Sequence, residues 1–307
     1  MRVIFMGTPE FALPSLEALR ARGEQFVAVV TQPDRPQGRG QRVSAPPVKV
    51  AALAAGIPVR QPAKVRQPEF LEWCRAAAPD LIVVVAFGQI LPKTLLDIPR
   101  LGCLNVHASL LPKYRGAAPI AWAIIRGETE TGITTMQMDP GMDTGPMLLQ
   151  RSMTIESDDT AGTLGARLAE LGARTLNETL DLLVAGRLSP TVQDSSQATL
   201  APMLKKDDGR IDWRQPATAI HALVRGLNPW PGAWTHHAGE SWRIWNAVVE
   251  SGAGAPGVVL RADATGIAVG TGNGHLVITE LQTPGKRRLV VRDYLAGHAI
   301  TPGARLG

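Results

Sequence analysis

Leu81-Ile82-Val83-Val84-Val85-Ala86 is a run of six apolar residues, four of them β-branched, closed by Phe87-Gly88. Successive side chains of a strand face opposite ways, so a run without polar alternation must be covered on both faces. That is the signature of a central strand in a parallel sheet flanked by helices. Upstream, Val3–Met6 and Gln25–Val30 read as strands of the same kind, and Pro9 opens a helix running to about Arg20. Residues 47–55 and 67–78 read as helices. Downstream come a strand over Cys103–Val106, a helix over Ala117–Arg126, and strands over Ile133–Met138 and Met147–Ile155. A long amphipathic helix over Thr160–Ala185 follows, with Asp158 or Asp159 near its cap. This alternation predicts an α/β domain built on a mostly parallel sheet.

From Gly186 to about Asp208 the periodicity fades into a Ser/Gln/Thr/Pro-rich stretch, which reads as a linker. Beyond it lie short strand-like runs broken by glycines: Trp242–Val249, Gly257–Leu260, Gly266–Val269 and Leu276–Leu281. Their spacing predicts a small antiparallel barrel or sandwich. At 307 residues the chain is long enough for two cores. The expected division is residues 1–189, a linker over 190–206, and residues 207–307.

The formal charge of +5 is spread over both halves, so it permits a polyanionic partner without requiring one. The turn at Gly7 comes too early for a signal-peptide core, and the longest apolar run is far short of a bilayer span. No membrane association is expected, and the cytoplasm is the expected location. Cys74 and Cys103 lack metal or disulfide spacing, His236-His237 are adjacent and read as an exposed hairpin, and no metal is expected. No G-x-G-x-x-G or Walker loop occurs. Gly7-Thr8-Pro9 is a single-glycine turn that sets a helix N-terminus at the carboxyl edge of the sheet, where open α/β folds bind ligands.

The chemistry concentrates in Asn105-Val-His107-Ala-Ser109-Leu-Leu-Pro112-Lys-Tyr-Arg115-Gly116. Residues two apart on a strand share a face, so Asn105 and His107 project together at a strand end. An amide donor beside an imidazole suits acyl-group chemistry, one group for a developing oxyanion and one for a proton. Ser109 is not in a G-x-S-x-G elbow, which disfavours a covalent serine mechanism. A third polar group is offered by Met138-Asp139-Pro-Gly141-Met-Asp143-Thr-Gly145, where local sequence leaves Asp139 and Asp143 as equal candidates. Between Asp34 and Lys49 lies a Gly/Pro-rich loop carrying Arg35, Arg39, Arg42 and Lys49. It is either a solvated surface loop or a basic arm that orders on a phosphate backbone. Lys286-Arg287-Arg288 adds a second cation cluster.

These residues resemble the tetrahydrofolate-dependent formyltransferases, within them the branch that formylates methionyl-tRNA. The likeness runs through Gly7-Thr-Pro-Glu-Phe11, Thr31-Gln-Pro-Asp-Arg35-Pro with Gly38-Arg39-Gly40, and Ala86-Phe87-Gly88-Gln89-Ile90-Leu-Pro92. It continues through the Asn105 and Asp143 stretches, Arg210-Ile-Asp-Trp213 and Asn228-Pro-Trp-Pro231, and so covers the whole chain. The resemblance implies a doubly wound, Rossmann-like first domain and a small all-β, OB-fold-like barrel as the second. It implies that Asn105, His107 and Asp143 are catalytic, which chooses Asp143 over Asp139. It also implies a 10-formyltetrahydrofolate co-substrate held by Phe87, Gly88, Gln89, Ile90, Ser109, Leu110, Leu111, Pro112 and Asp139. The implied partner is initiator methionyl-tRNA, met by Arg35, Arg39, Arg42 and Lys49, by Lys206 near the domain junction, and by Lys286, Arg287 and Arg288. A monomer is expected. Phe87 and Gln89 stand where the family often has tyrosine and leucine.

Three rival functions share parts of this pattern. A sugar-nucleotide N-formyltransferase shares the first domain but gives no reason for the basic loop with this second domain. A 10-formyltetrahydrofolate hydrolase would use the same residues with water as acceptor. A noncatalytic tRNA-binding protein would not need the Asn/His/Asp set.

Overall fold

In the computed structural model, which describes residues 1–37 and 42–307, the chain separates into two units. The first comprises residues 1–119, 130–154 and 165–202, and the second residues 120–129, 155–164 and 203–307.

The first unit is built on strands Arg2–Gly7 (β1), Gln25–Val30 (β2), a hairpin of Arg35–Gln37 (β3) and Arg42–Ser44 (β4), then Val59–Arg60 (β5), Leu81–Val85 (β6), Cys103–His107 (β7), Glu130–Gln137 (β8) and Met147–Thr154 (β9). Seven of them form one sheet in the order β5-β2-β1-β6-β7-β8-β9. β5, β2, β1, β6 and β7 run parallel, whereas β8 and β9 are antiparallel to their neighbours. After β1 the chain winds to β2 and β5 on one side, then crosses to β6 on the other. The reversal falls between β1 and β6, and sheets of this kind bind ligands outside the carboxyl ends of the strands.

The opening run behaves as its composition demands. All of β6 is buried, and Val3, Ile4, Phe5 and Met6 of β1 are fully buried. Ile82 and Val84 pack with Ile4, Met6, Val30, and with Phe70 and Cys74 of the helix Pro68–Ala77. Val83 and Val85, on the opposite face, are equally covered. Each fully buried aliphatic side chain contributes roughly 1.5–3 kcal/mol, so this double cover dominates the stability of the sheet. The long helix is Ala161–Val184, and Gly172 on it passes close over Val106 and Ile133.

The stretch that composition reads as a linker is not free of the first unit. Thr191 bridges Met147, and Leu200 bridges Arg115. The Arg115 amide donates to Thr199 O at 2.9 Å, and the Ala201 amide to Arg115 O at 2.7 Å. Residues up to Pro202 therefore form a strap along the loop that follows β7.

The second unit carries Ala233–His237 (β10), Glu240–Glu250 (β11), Val259–Asp263 (β12), Gly266–Gly270 (β13), His275–Gln282 (β14) and Leu289–Val290 (β15) in one antiparallel sheet. The C-terminal tail joins its two margins: Leu306 donates to Gly257 O beside β12, and Gly307 to His236 O in β10. The core gathers Trp213, Trp242, Ile244, Val269, Ile278 and Tyr294. Two helices that spacing did not predict, Ala217–Gly226 and Val291–Leu295, complete it. Arg225 of the first of these donates to the carbonyls of Glu156 and Asp159, which fastens residues 155–164 to this unit.

Candidate active site

β7 ends at the carboxyl edge of the sheet, and its alternation places Asn105 and His107 on one face. Both are buried, Asn105 at 9% and His107 at 6% exposure. Asp143 reaches them from the loop between β8 and β9, with a left-handed backbone (φ 55°). The turn around it depends on Gly145, where any Cβ would run into Gln137 O.

The Asp143 carboxylate is the hub. Its Oδ2 accepts the backbone N–H of Gly116 at 2.8 Å and lies 3.7 Å from Nδ1 of His107. Its Oδ1 is 3.5 Å from Nδ2 of Asn105, the outer limit of a hydrogen bond, so that amide is only loosely committed. The other imidazole nitrogen, Nε2, lies 3.0 Å from Tyr114 O. A carbonyl only accepts, so Nε2 carries a hydrogen.

The loop after β7 is held from below. Thr134, fully buried, donates to Ser109 O at 2.7 Å and accepts from Leu111 N and from Gln150 Nε2. The Ser109 hydroxyl is likewise buried and donates to Lys113 O at 2.6 Å, which fits the sequence argument against a serine nucleophile. Cys103, two residues before Asn105, is no nucleophile either: burial pushes its thiol up to about 12. Among the described residues no group of three or more His, Cys, Asp or Glu could hold a metal, and no helix is long and apolar enough to cross a membrane.

Comparison with known proteins fits this arrangement. The family model described as formyl transferase matches residues 1–180, and that of the formyl transferase C-terminal domain matches residues 203–299. A methionyl-tRNA formyltransferase of Geotalea uraniireducens is 57% identical, covering 100% of this chain and 98% of its own. One of Geobacter sulfurreducens is 55% identical, covering 100% and 97%. The chain belongs to the methionyl-tRNA formyltransferase family. An N-formyltransferase from Helicobacter canadensis, solved with folinic acid and dTDP-3-aminofucose, is similar in fold alone: 17% identity, TM-score 0.70, covering 92% of this chain and 99% of its own.

The chain is thus a formyl-transferring enzyme of the methionyl-tRNA formyltransferase family. Phe87–Ile90 lie just past the carboxyl end of β6, whose Val84 pairs with Asn105. Phe87 is buried in the core, and its carbonyl accepts from Thr8 Oγ1 and Gln32 Nε2. The Gln89 side chain is tied to Val65 N and Ala63 O, while Gly88 and Ile90 are exposed, Ile90 at 87%. Leu110 and Pro112 are half-buried and Leu111 is buried. The Asp139 carboxylate is engaged by Thr144 Oγ1 and Gly141 N, away from the Asp143 hub.

The expected cations divide by commitment. Lys49 is held by Asp34 and Gln61 at 2.7 Å, and the hydrogen bonds that Lys49 Nζ and Gln61 Nε2 donate to Asp34 hold its carboxyl below the usual carboxylate range. Arg35 is exposed, Arg42 lies in β4, and Arg39 lies outside the described residues. Lys206, Lys286 and Arg287 are exposed, whereas Arg288 pairs with Glu280 over the Trp245 ring. Sequence reasoning missed Gly116 N and the buried pair Arg115 and Gln193. Gln193 sat in a stretch that looked like linker, and no local signal marks it.

Proposed function

We infer that this enzyme transfers the formyl group of 10-formyltetrahydrofolate to the α-amino group of methionine on initiator methionyl-tRNA. The observation that carries the mechanism is the Asp143 carboxylate shared among Asn105, Gly116 N and His107. When bound, the folate supplies an activated formyl group on N10. Past the carboxyl end of β6, exposed Ile90 would offer apolar contact to the folate ring and exposed Gly88 an approachable backbone. Phe87, Gly88, Gln89, Ile90 and the Ser109–Pro112 turn would line it, with Asp139 steadying the loop that carries Asp143.

The neutral amine attacks the formyl carbon, forming the new C–N bond without an acyl-enzyme. Asn105 Nδ2, loosely held, turns its donor to the formyl oxygen as negative charge builds there, and the His107 cation adds electrostatic stabilisation. Asp143 orients the imidazole and helps pass the amine proton to N10 as the C–N10 bond breaks. Arg35, Arg39 and Arg42 of the basic loop, Lys206, and Lys286–Arg288 of the second unit meet the tRNA backbone. The enzyme acts as a cytoplasmic monomer.

The deciding experiment offers 10-formyltetrahydrofolate with methionyl-tRNA, with a dTDP-amino sugar, or with water alone. Formyl-methionyl-tRNA as the dominant product is expected. Formyl sugar would favour a sugar N-formyltransferase, formate release without amine a hydrolase, and salt-sensitive tRNA binding without transfer a binding protein.

A further inference from the structure

The Gln193 side chain is buried at 6% exposure and makes four hydrogen bonds. Its Oε1 accepts from Nε and Nη2 of Arg115 at 3.0 and 2.8 Å. Its Nε2 donates to Asp143 O at 2.8 Å and to Gly145 O at 2.7 Å. One amide thus ties the residue before Gly116 to the backbone carbonyls of Asp143 and of Gly145, two residues on. Arg115 is itself buried at 7% and clamped along its main chain by Thr199 and Ala201. Gln193, Thr199 and Ala201 all come from the strap of residues 190–202.

We propose that Gln193 is a positioning residue for formyl transfer, acting through Asp143. It fixes the left-handed turn at Asp143 from behind while presenting Arg115-Gly116, so that Gly116 N and Nδ1 of His107 both find the same carboxylate oxygen. No other side chain type does this in place: a carboxylate keeps the acceptor for Arg115 but sets oxygen against the two carbonyls, and an apolar residue loses both functions. Misplacement of a catalytic group by about 1 Å can cost on the order of 100-fold in rate. The proposal rests on the catalytic reading of Asp143 given above.

The test is Gln193→Glu in the full-length enzyme, assayed for kcat, KM for 10-formyltetrahydrofolate and methionyl-tRNA, and thermal midpoint. A role confined to anchoring Arg115 would leave Q193E as active as wild type, because the ion pair replaces the lost bond. Positioning predicts a kcat lowered roughly 10- to 100-fold, with both KM values within about threefold and the midpoint preserved. An unchanged kcat overturns the proposal, as does a loss of kcat that tracks equal losses of KM and midpoint. Should Q193E fail to fold, Gln193→Met, which loses both functions, is compared with Arg115→Met, which loses only the anchor: a kcat lower in Q193M by about tenfold or more supports positioning, and equal losses overturn it. Asp143→Asn is measured beside it: if that variant keeps its rate, the catalytic reading of Asp143 fails, whatever Q193E does.

Discussion

The backbone nitrogen of Gly116 stands 2.8 Å from Oδ2 of Asp143, and it reaches that position with φ at 121°. A Cβ at residue 116 would lie 2.7 Å from Ala201 O, so the strap and the glycine define each other's path. Gly116→Ala is expected to cost about 1–3 kcal/mol of stability through backbone strain and to lower formyl transfer as the Asp143 contact lengthens. Thermal unfolding with single-turnover rates checks both, and a variant with wild-type stability would refute the steric argument.

Thr134 joins the turn after β7 to the antiparallel half of the sheet. Thr134→Val keeps its shape but takes their hydroxyl partner from Ser109 O and Leu111 N, and leaves Gln150 Nε2 only its bond to Leu111 O. A loss of roughly 1–3 kcal/mol is expected. Denaturant unfolding measures it, and a change under about 0.5 kcal/mol would mean the hydroxyl is replaceable.

The cations should respond differently to substitution. Arg287 is exposed, so Arg287→Ala should weaken tRNA binding and reduce the slope of log affinity against log salt by about one. Lys49 is already paired with Asp34, so Lys49→Ala should leave that slope alone. It should instead let the Asp34 carboxyl rise toward its ordinary value. A depressed folded pKa gives stability above the unfolded value that is lost as pH falls, so Lys49→Ala should lose that contribution near neutral pH. Salt titrations and unfolding at several pH values separate the two effects.

Burial pushes Cys74 up to about 11 and Cys103 up to about 12. Both thiols should resist thiol reagents at pH 8 in the folded protein and label fully on unfolding. Because the folded values are raised, their contribution is fully present below pH 9 and lost as pH rises above it. The loss is roughly 1.4 kcal/mol per pH unit per thiol until the folded value is reached. Rapid native labelling would contradict the burial.

Much of the first unit was legible because its signals are local. Leu81–Val85 had to be a doubly covered strand, and Asn105 and His107 had to share a face. The choice of Asp143 over Asp139 was not local, since both sit in the same glycine-rich turn; the structure brings Asp143 to the imidazole and turns Asp139 onto Thr144. Gln193 was illegible because a buried amide in a polar, Ser/Gln-rich stretch looks like any solvated one. The same holds for residues 155–164, whose attachment to the second unit depends on Arg225, far away in sequence. The helix Ala217–Gly226 had a readable signal, a proline just before an Ala/Ile/Val stripe, that the neighbouring strand runs overshadowed.

The most direct test of the Asn105/His107/Asp143 centre is single-turnover transfer from 10-formyltetrahydrofolate to methionyl-tRNA by Asp143→Asn, with wild type as reference. A folded variant whose rate falls roughly 10²- to 10³-fold is expected, the scale of losing one preorganised electrostatic contact. A rate within a few-fold of wild type would contradict the assignment of Asp143 as the hub of formyl transfer.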